Sequence, residues 1–118
     1  MTNSKKTIAI TLLGALFAQS SYAVTCQGVP VAPAIEPTTG DVLISSVGGL
    51  IWPRLCSLKT TTPQGVTPDT CKSIYATVLN AQSSGRALTI STTSSYASCA
   101  AVPQWQYLEG FSFLVING

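Results

Sequence analysis

Residues 66–85 predict a single α-helix inside a chain that otherwise indicates short strands and loops. Thr67 is a suitable N-cap, Pro68 follows at the first helical position, and Gly85 is a typical C-terminal stop. The apolar residues between them recur at the spacing of one buried helix face: Cys71, Ile74, Tyr75, Val78 and Leu79. We therefore expect one helix among strands, and its place in the chain limits which folds remain.

Five β-strands are predicted around this helix, three before it and two after it. They cover residues 25–31, 42–47, 50–58, 86–93 and 106–116. Gly48 and Gly49 predict a tight hairpin turn between the second and third strands, because paired glycines adopt positive φ freely. Residues 30–41 hold three prolines and predict a loop or an irregular edge. Pro53 predicts an edge position or a bulge within the third strand.

The order of three strands, one helix and two strands is that of the OB-fold. This is a five-stranded Greek-key barrel with its helix between strands 3 and 4. A small antiparallel β-sandwich with one helix packed on it is the alternative fold. No internal repeat or linker interrupts residues 24–118, so the sequence predicts a single, mainly β, OB-like domain there.

Residues 1–23 have the pattern of an export signal peptide. Lys5 and Lys6 precede a mostly apolar run over residues 8–18, and Ala23 ends the small-residue motif that signal peptidase cleaves. This run is shorter than the ~20 residues of a membrane-spanning helix, and no later segment is long and apolar enough to be one. The expected location is periplasmic or secreted, with no membrane span in the mature chain.

Charged side chains are few and balanced in residues 24–118. Four basic and four acidic residues occur there: Arg54, Lys59, Lys72 and Arg86 against Glu36, Asp41, Asp69 and Glu109. The net charge of +2 of the whole sequence therefore belongs to the predicted signal peptide. A neutral domain lacks the basic surface that attracts nucleic acids and anionic membranes, so we expect neither as a partner.

The cysteines indicate a covalent framework. The predicted mature chain holds four of them: Cys26, Cys56, Cys71 and Cys99. An even count in a small exported domain predicts two disulfides. Four cysteines allow three connectivities, and the pairing Cys26–Cys99 with Cys56–Cys71 fits an OB topology, in which strand 1 begins near the end of strand 4. With no histidine and no CxxC pair, the sequence predicts no metal site.

The residue types of common catalytic chemistry are missing or scattered. Without histidine, a serine nucleophile would depend on Lys59 or Lys72, and the sequence has no GxSxG motif. Glu36 and Asp41 are close in sequence and could form an acid–base pair or weak calcium ligands. Their spacing around Gly40 is more typical of a turn. We therefore predict a protein that is not an enzyme and needs no cofactor.

Aromatic residues supply the candidate binding site. Trp52, Phe111 and Phe113 lie in predicted strands and are expected in the core, with Val115 on the same strand face as the two phenylalanines. The candidate binding residues lie in or beside a loop rich in Ser, Ala and Pro: Tyr96, Gln104, Trp105 and Tyr107. An exposed aromatic ring with hydroxyl and amide neighbours is what stacking on a sugar ring requires. The alternative is that Trp105 closes one end of the barrel.

Several of these segments together resemble known proteins. They are a cysteine before a loop, the helix CKSIYATVLNAQSSG, the strand RALTI, a late cysteine and a Trp-led final strand. In this pattern, residues 56–116 resemble a broad set of small exported bacterial proteins of unknown function. More remotely, they resemble the receptor-binding B subunits of pentameric A–B toxins of the subtilase-cytotoxin and pertussis-like type.

The resemblance to toxin B subunits implies a disulfide-bonded OB-fold whose helix lines the centre of a ring of five and whose outer faces bind host glycans. No residue of this sequence matches the sialic-acid contacts of those families. The expected function is that of a secreted or periplasmic binding protein: a toxin-B-like subunit that forms a homo-pentamer or associates with an exported enzymatic subunit. The alternative is an inhibitor or accessory protein whose partner is another protein.

Overall fold

A computed structural model describes residues 23–117, which form two antiparallel sheets and one α-helix. In chain order the elements are β1 (Val24–Gly28), β2 (Val31–Glu36), β3 (Asp41–Val47), β4 (Leu50–Ile51), β5 (Arg54–Ser57), α1 (Pro68–Ser84), β6 (Leu88–Thr92) and β7 (Phe111–Ile116). A short 3-10 turn, Cys99–Ala101, lies in the loop between β6 and β7. The predicted signal peptide lies outside the described residues except for Ala23.

Strand pairing divides the β-structure into two sheets. The first has the order β1-β6-β7, and in the second β3 pairs with β2, β4 and β5. All of these pairs are antiparallel. The helix packs against β5, β2 and β7, so it contacts both sheets. The prediction of a mainly β fold with one helix is confirmed.

The strand β2 occupies a segment for which the sequence predicts either a loop or an irregular edge. It is an edge strand, because among the strands of residues 23–117 it pairs with β3 alone. Pro33 is tolerated there, since an edge strand does not need every N–H for its ladder. Ala32 has a positive φ of 49°, which makes the edge irregular. The structure therefore bears out the second of the two expectations.

The predicted third strand, residues 50–58, is two strands in the structure. Trp52 and Pro53 separate β4 from β5, and Trp52 has a φ of 46°. A proline has no N–H for the ladder and restricts the residue before it, so the strand breaks at this point. The break agrees with the irregularity predicted at Pro53. Together with β2, it raises the number of strands in residues 23–117 from the predicted five to seven.

The helix α1 begins and ends where its capping residues predict. The Thr67 hydroxyl accepts a hydrogen bond from the Thr70 N–H at 3.3 Å. Gly85 has a left-handed backbone with a φ of 67°, and its N–H bonds to carbonyls of the last helical turn. The predicted caps are thus confirmed. Within the described residues, no helix is long and apolar enough to span a membrane.

Two apolar residues that are expected in the core are exposed. Leu79 of α1 is 39 % exposed, because the buried stripe of the helix is narrower than predicted. Phe113 of β7 is 59 % exposed. The ladder between β6 and β7 shifts register, which places Phe111 opposite Thr92 and Phe113 opposite Ser91, on the other face. The expectation that the two phenylalanines share one buried face is therefore wrong.

Two disulfides link these elements, with the pairing that fits the predicted topology. Cys26–Cys99 joins β1 to the 3-10 turn, and Cys56–Cys71 joins β5 to the first turn of α1. The bridges span sequence separations of 73 and 15 residues. For loops of these lengths each bridge stabilises the fold by about 3–4 kcal/mol. Around them, the core buries Val42, Ile44, Val47, Leu50, Leu55, Val78, Leu88, Ile90 and Leu108.

Candidate binding site

Trp52 and Trp105 form a stacked pair at the surface. Trp52 lies at the break between β4 and β5, and Trp105 lies in the loop that leads to β7. Their ring centroids are 4.8 Å apart, and the ring planes differ by 14°. Trp105 is 52 % exposed, whereas Trp52 is half-buried. Trp52 therefore covers one face of the Trp105 ring, and we call this stacked pair the Trp platform.

Both tryptophans have backbone conformations that residues with side chains rarely adopt. The φ angle is 46° at Trp52 and 64° at Trp105. A residue in this left-handed region costs about 1–3 kcal/mol and persists only where surrounding contacts fix it. One such contact is the hydrogen bond that the Trp105 N–H donates to the Trp52 carbonyl at 3.0 Å. Backbone strain of this kind is typical of functional sites.

Arg54 connects β5 to the loop that carries Trp105. Its Nε donates a hydrogen bond to the Trp105 carbonyl at 2.8 Å. Its backbone N–H donates to the Gln106 carbonyl at 3.1 Å, and its carbonyl accepts from the Leu108 N–H at 3.2 Å. These two backbone bonds make a short parallel bridge between Arg54 and Tyr107. The loop is thus held to β5 through both backbone and side-chain groups.

Two carboxylates hold the Arg54 guanidinium. Nη1 lies 2.7 Å from Glu36 Oε2 and 2.5 Å from Asp41 Oδ2. The Tyr107 hydroxyl donates a hydrogen bond to the other Asp41 oxygen, Oδ1. We call these four residues, Arg54, Glu36, Asp41 and Tyr107, the Arg54 cluster. The side chain of Asp41 is 5 % exposed and that of Glu36 is 37 % exposed, so the cluster reaches solvent mainly through Glu36.

Burial and hydrogen bonds determine ionisation in the Arg54 cluster. Burial disfavours the charged form of Arg54, but its bonds to Glu36 and Asp41 outweigh this effect and raise the pKa of Arg54 above its ordinary value. Burial, and then the hydrogen bond to Asp41, raise the pKa of Tyr107 to about 12. At neutral pH Arg54 is therefore charged, and Tyr107 is protonated and able to donate to Asp41.

The structure brings together some of the predicted binding residues. Trp105 belongs to the Trp platform, Tyr107 belongs to the Arg54 cluster, and Gln104 is exposed next to Trp105 in the chain. Tyr96 has another set of contacts: its ring packs against the core, and its hydroxyl accepts a hydrogen bond from the Glu109 N–H at 3.0 Å. The exposure of Trp105 argues against the alternative in which it fills one end of the core.

Four residues of this site are not predicted as binding residues by the sequence. Trp52 is expected in the core, and nothing in the pattern connects Arg54 with either carboxylate. Glu36 and Asp41 do attract notice as a close pair, and a turn does separate them, as predicted. Recognition of β2 as a strand would have placed these two carboxylates opposite each other, because Glu36 pairs with Asp41 in the β2–β3 ladder.

A groove of about 330 Å³ lies between α1 and β7 and shares no residue with the Trp platform or the Arg54 cluster. Its lining combines apolar and hydroxyl side chains without charge: Val66, Thr70, Ser73, Ile74, Thr77, Phe111, Ser112, Phe113 and Leu114. The uncharged lining offers no ion-pair partner to a ligand. The groove therefore selects among ligands by fewer kinds of contact than the surface around Trp105 does.

No family model, no curated protein and no solved structure matches this chain. A function for it therefore rests on the residues themselves. Among them, the half-exposed ring of Trp105 and the polar groups fixed beside it form the arrangement that a ligand can use most directly.

Proposed function

We propose that this protein is an exported binding protein without enzymatic activity, and that it holds a sugar ring of a glycan against Trp105. The proposal is carried by one observation: Trp105 is 52 % exposed while the Trp52 ring stacks on one face of its ring at a centroid distance of 4.8 Å. The C–H groups on one face of a sugar ring pack well on a flat aromatic surface, and the sugar hydroxyls need polar partners around it.

The Trp platform is held in place by contacts within the protein. Stacking fixes the ring of Trp105, and hydrogen bonds to Trp52 and Arg54 fix its backbone N–H and carbonyl. A side chain that is already ordered loses little conformational entropy on binding, which lowers the cost of association. An exposed ring held in this way is therefore well suited to recognition.

Polar groups beside the platform can bond to sugar hydroxyls. Gln104 and Gln106 flank Trp105 in the chain, and both are exposed. Glu36 is 37 % exposed, although one of its oxygens contacts Arg54. Amides both donate and accept hydrogen bonds, and carboxylates accept them, so together they match the two capacities of a hydroxyl group.

The charged groups favour binding over catalysis. Arg54 contacts both Glu36 and Asp41, and Asp41 also accepts a hydrogen bond from Tyr107. A general acid or base needs a carboxyl group that can exchange its proton with the substrate. Here both carboxylates instead form ion pairs with the same guanidinium, which is the arrangement of a structural cluster.

An OB-like barrel is the architecture that we propose for the two sheets together. Only Val29 and Pro30 separate β1 from β2, yet β1 pairs with β6 in one sheet and β2 pairs with β3 in the other. In an OB barrel, a single bent first strand takes part in both sheets in this way. The parallel bridge between Arg54 and Tyr107 joins β5 to the segment before β7, where strands 3 and 5 of such a barrel meet. OB-fold loops bind oligosaccharides in other proteins, which supports the proposal by analogy.

A location outside the cytosol and a toxin-B-like assembly belong to the same proposal. Two formed disulfides support the location, because disulfides persist in oxidising compartments. The assembly would be a ring of five copies or a complex with an exported enzymatic subunit. The mass of the native oxidised protein in solution tests the ring: a pentamer supports a ring of five copies, and a monomer contradicts that ring.

A protein partner is the second candidate, and the strand β7 favours it. Phe113 is 59 % exposed and Val115 is 38 % exposed. Among the described strands, β7 pairs with β6 alone, so its other edge is open. An edge strand with exposed apolar side chains is a template for a strand of another chain. An inhibitor or accessory protein would use this surface instead of the Trp platform.

A glycan array with the oxidised protein, followed by titration of the best ligand, tests the main proposal. Trp105→Ala should weaken binding about tenfold, because it removes the stacking surface. Phe113→Ala removes an exposed aromatic ring outside the site and should leave the affinity unchanged. A wild-type protein that binds no glycan, or a Trp105→Ala variant that binds as tightly as wild type, would reject the proposal and favour a protein partner.

A further inference from the structure

The left-handed backbone at Trp105 needs a specific support, because its φ is 64° and the residue carries a large side chain. Both backbone polar groups of Trp105 have partners. Its N–H donates to the Trp52 carbonyl at 3.0 Å, and its carbonyl accepts from Arg54 Nε at 2.8 Å. The first bond joins the two stacked residues to each other. The second joins the platform to a charged side chain of β5.

We propose that Arg54 is the positioning residue of the Trp platform. Through Nε it fixes the Trp105 carbonyl, and it thereby sets the direction in which the Trp105 ring is presented. Arg54 acts through Trp105 and does not touch the ligand. Its effect on the geometry of the platform is independent of any ligand, whereas its effect on affinity rests on the proposed glycan binding.

The guanidinium of Arg54 can fix Trp105 because it is itself held from the other side. Nη1 contacts Glu36 Oε2 at 2.7 Å and Asp41 Oδ2 at 2.5 Å, and the Tyr107 hydroxyl bonds to the remaining Asp41 oxygen. The Asp41 side chain is 5 % exposed, so solvent screens its contact with Arg54 only weakly. Lys59, the other charged residue at this turn, donates from Nζ to a backbone carbonyl at 2.9 Å.

A planar guanidinium is suited to this role because its N–H groups point in fixed directions. In Arg54, Nη1 faces the carboxylates while Nε faces the Trp105 carbonyl. A lysine has a single ammonium group and cannot maintain both contacts in this geometry. Arg54→Lys should therefore keep a positive charge near Asp41 and still release the Trp105 carbonyl.

Circular dichroism in the far ultraviolet tests the geometry directly, because two stacked indoles give a couplet that depends on their distance and angle. Trp52→Phe and Trp105→Phe should each abolish this couplet, which assigns it to the platform. Arg54→Lys should remove most of its amplitude. Arg86→Lys is the matched control, since Arg86 is exposed after the helix, and it should leave the couplet unchanged.

Titration with a glycan ligand identified on an array tests the consequence for binding. Arg54→Lys should weaken the affinity about tenfold, the effect of losing one hydrogen bond from a charged donor. Tyr107→Phe removes only the hydroxyl that holds Asp41 and should weaken the affinity about threefold, with a smaller loss of the couplet. This milder variant decides the question if Arg54→Lys does not fold.

Wild-type couplets and affinities in Arg54→Lys and Tyr107→Phe would overturn the positioning role. A weakened affinity with an unchanged couplet would also overturn it, because Arg54 would then act on the ligand and not through Trp105. If the wild-type protein binds no glycan, the proposed function fails, and the couplet still decides whether Arg54 positions Trp105.

Discussion

Trp52 covers one face of Trp105, and the Trp105 N–H donates to the Trp52 carbonyl at 3.0 Å. The two residues are therefore joined both by stacking of their rings and by a backbone hydrogen bond. Trp52 is followed by Pro53, which is fully buried, and then by the strand β5. The Trp platform is thus anchored to the second sheet and is not an isolated loop tip.

Replacement of Trp52 tests how much this support contributes. Trp52→Ala should lower the free energy of unfolding by about 2–3 kcal/mol, less than the ~3–5 kcal/mol of a fully buried tryptophan, because Trp52 is half-buried. Trp52→Phe keeps an aromatic ring behind Trp105 and should recover about half of the loss. Urea denaturation measures both values. Equal losses in the two variants would show that stacking on Trp105 contributes nothing.

Ionisation of the Tyr107 hydroxyl should lower the stability of the protein at high pH. Its pKa rises from the ordinary 10.0 to about 12 in the folded protein, through burial and the hydrogen bond to Asp41. The folded state therefore holds this proton more tightly than the unfolded state does. Its contribution is complete below about pH 10 and is lost as the pH rises through about 12.

Urea denaturation at several pH values, for wild type and Tyr107→Phe, isolates this effect. The variant lacks the hydrogen bond to Asp41, so it should be less stable than wild type near neutral pH. Because phenylalanine cannot ionise, the variant should lose less stability than wild type between about pH 10 and 12. Other groups that titrate in this range affect both proteins equally. Two parallel stability curves would contradict the raised pKa of Tyr107.

Replacement of threonine by valine should change the free energy of unfolding in opposite directions at Thr92 and Thr89 of β6. The Thr92 hydroxyl is buried and has no hydrogen-bond partner within residues 23–117, whereas Thr89 Oγ1 accepts from Asn117 Nδ2 at 2.8 Å. Thr92→Val should raise the free energy of unfolding by about 1 kcal/mol, and Thr89→Val should lower it by about 1 kcal/mol. Chemical denaturation of both variants compares them. A loss of stability in Thr92→Val would show that its hydroxyl is bonded in solution.

Features whose causes lie within a few residues could be predicted from the sequence. The helix ends follow from Thr67 and Gly85, which satisfy backbone groups of the adjacent helical turns. The break between β4 and β5 follows from Pro53, which has no N–H for the ladder. The order of strands and helix favours one of the three possible disulfide connectivities, and the structure has that pairing.

Features that depend on strand register or on distant contacts could not be predicted. Phe111 packs against the core while Phe113 is exposed, because one register shift between β6 and β7 places the two side chains on opposite faces of the sheet. Arg54 and Trp105 are 51 residues apart, and no spacing or periodicity indicates that their groups meet. The neighbours of Trp105 in the chain indicate a binding residue. Nothing in the sequence indicates that Trp52 and Arg54 hold it in place.

Gly48 packs against the backbone of β1. A Cβ atom on Gly48 would lie 2.8 Å from the carbonyl carbon of Gln27, and one on Gly28 would lie 2.8 Å from the Gly48 nitrogen. Gly48 belongs to the hairpin turn of the second sheet, whereas β1 belongs to the first. This contact therefore brings the two sheets together at the hairpin turn, and it leaves no room for a side chain.

Gly48→Ala should lower the free energy of unfolding by about 3 kcal/mol, from the strain of a left-handed alanine and from overlap with Gln27. Gly65→Ala is the matched control, because Gly65 also has a positive φ, 87°, but a Cβ there would meet nothing within 4 Å. It should cost only about 1 kcal/mol. The difference between the two variants, measured by urea denaturation, reports the contact between the sheets. Equal losses would mean that β1 does not pack against the hairpin turn and that the proposed barrel is open on this side.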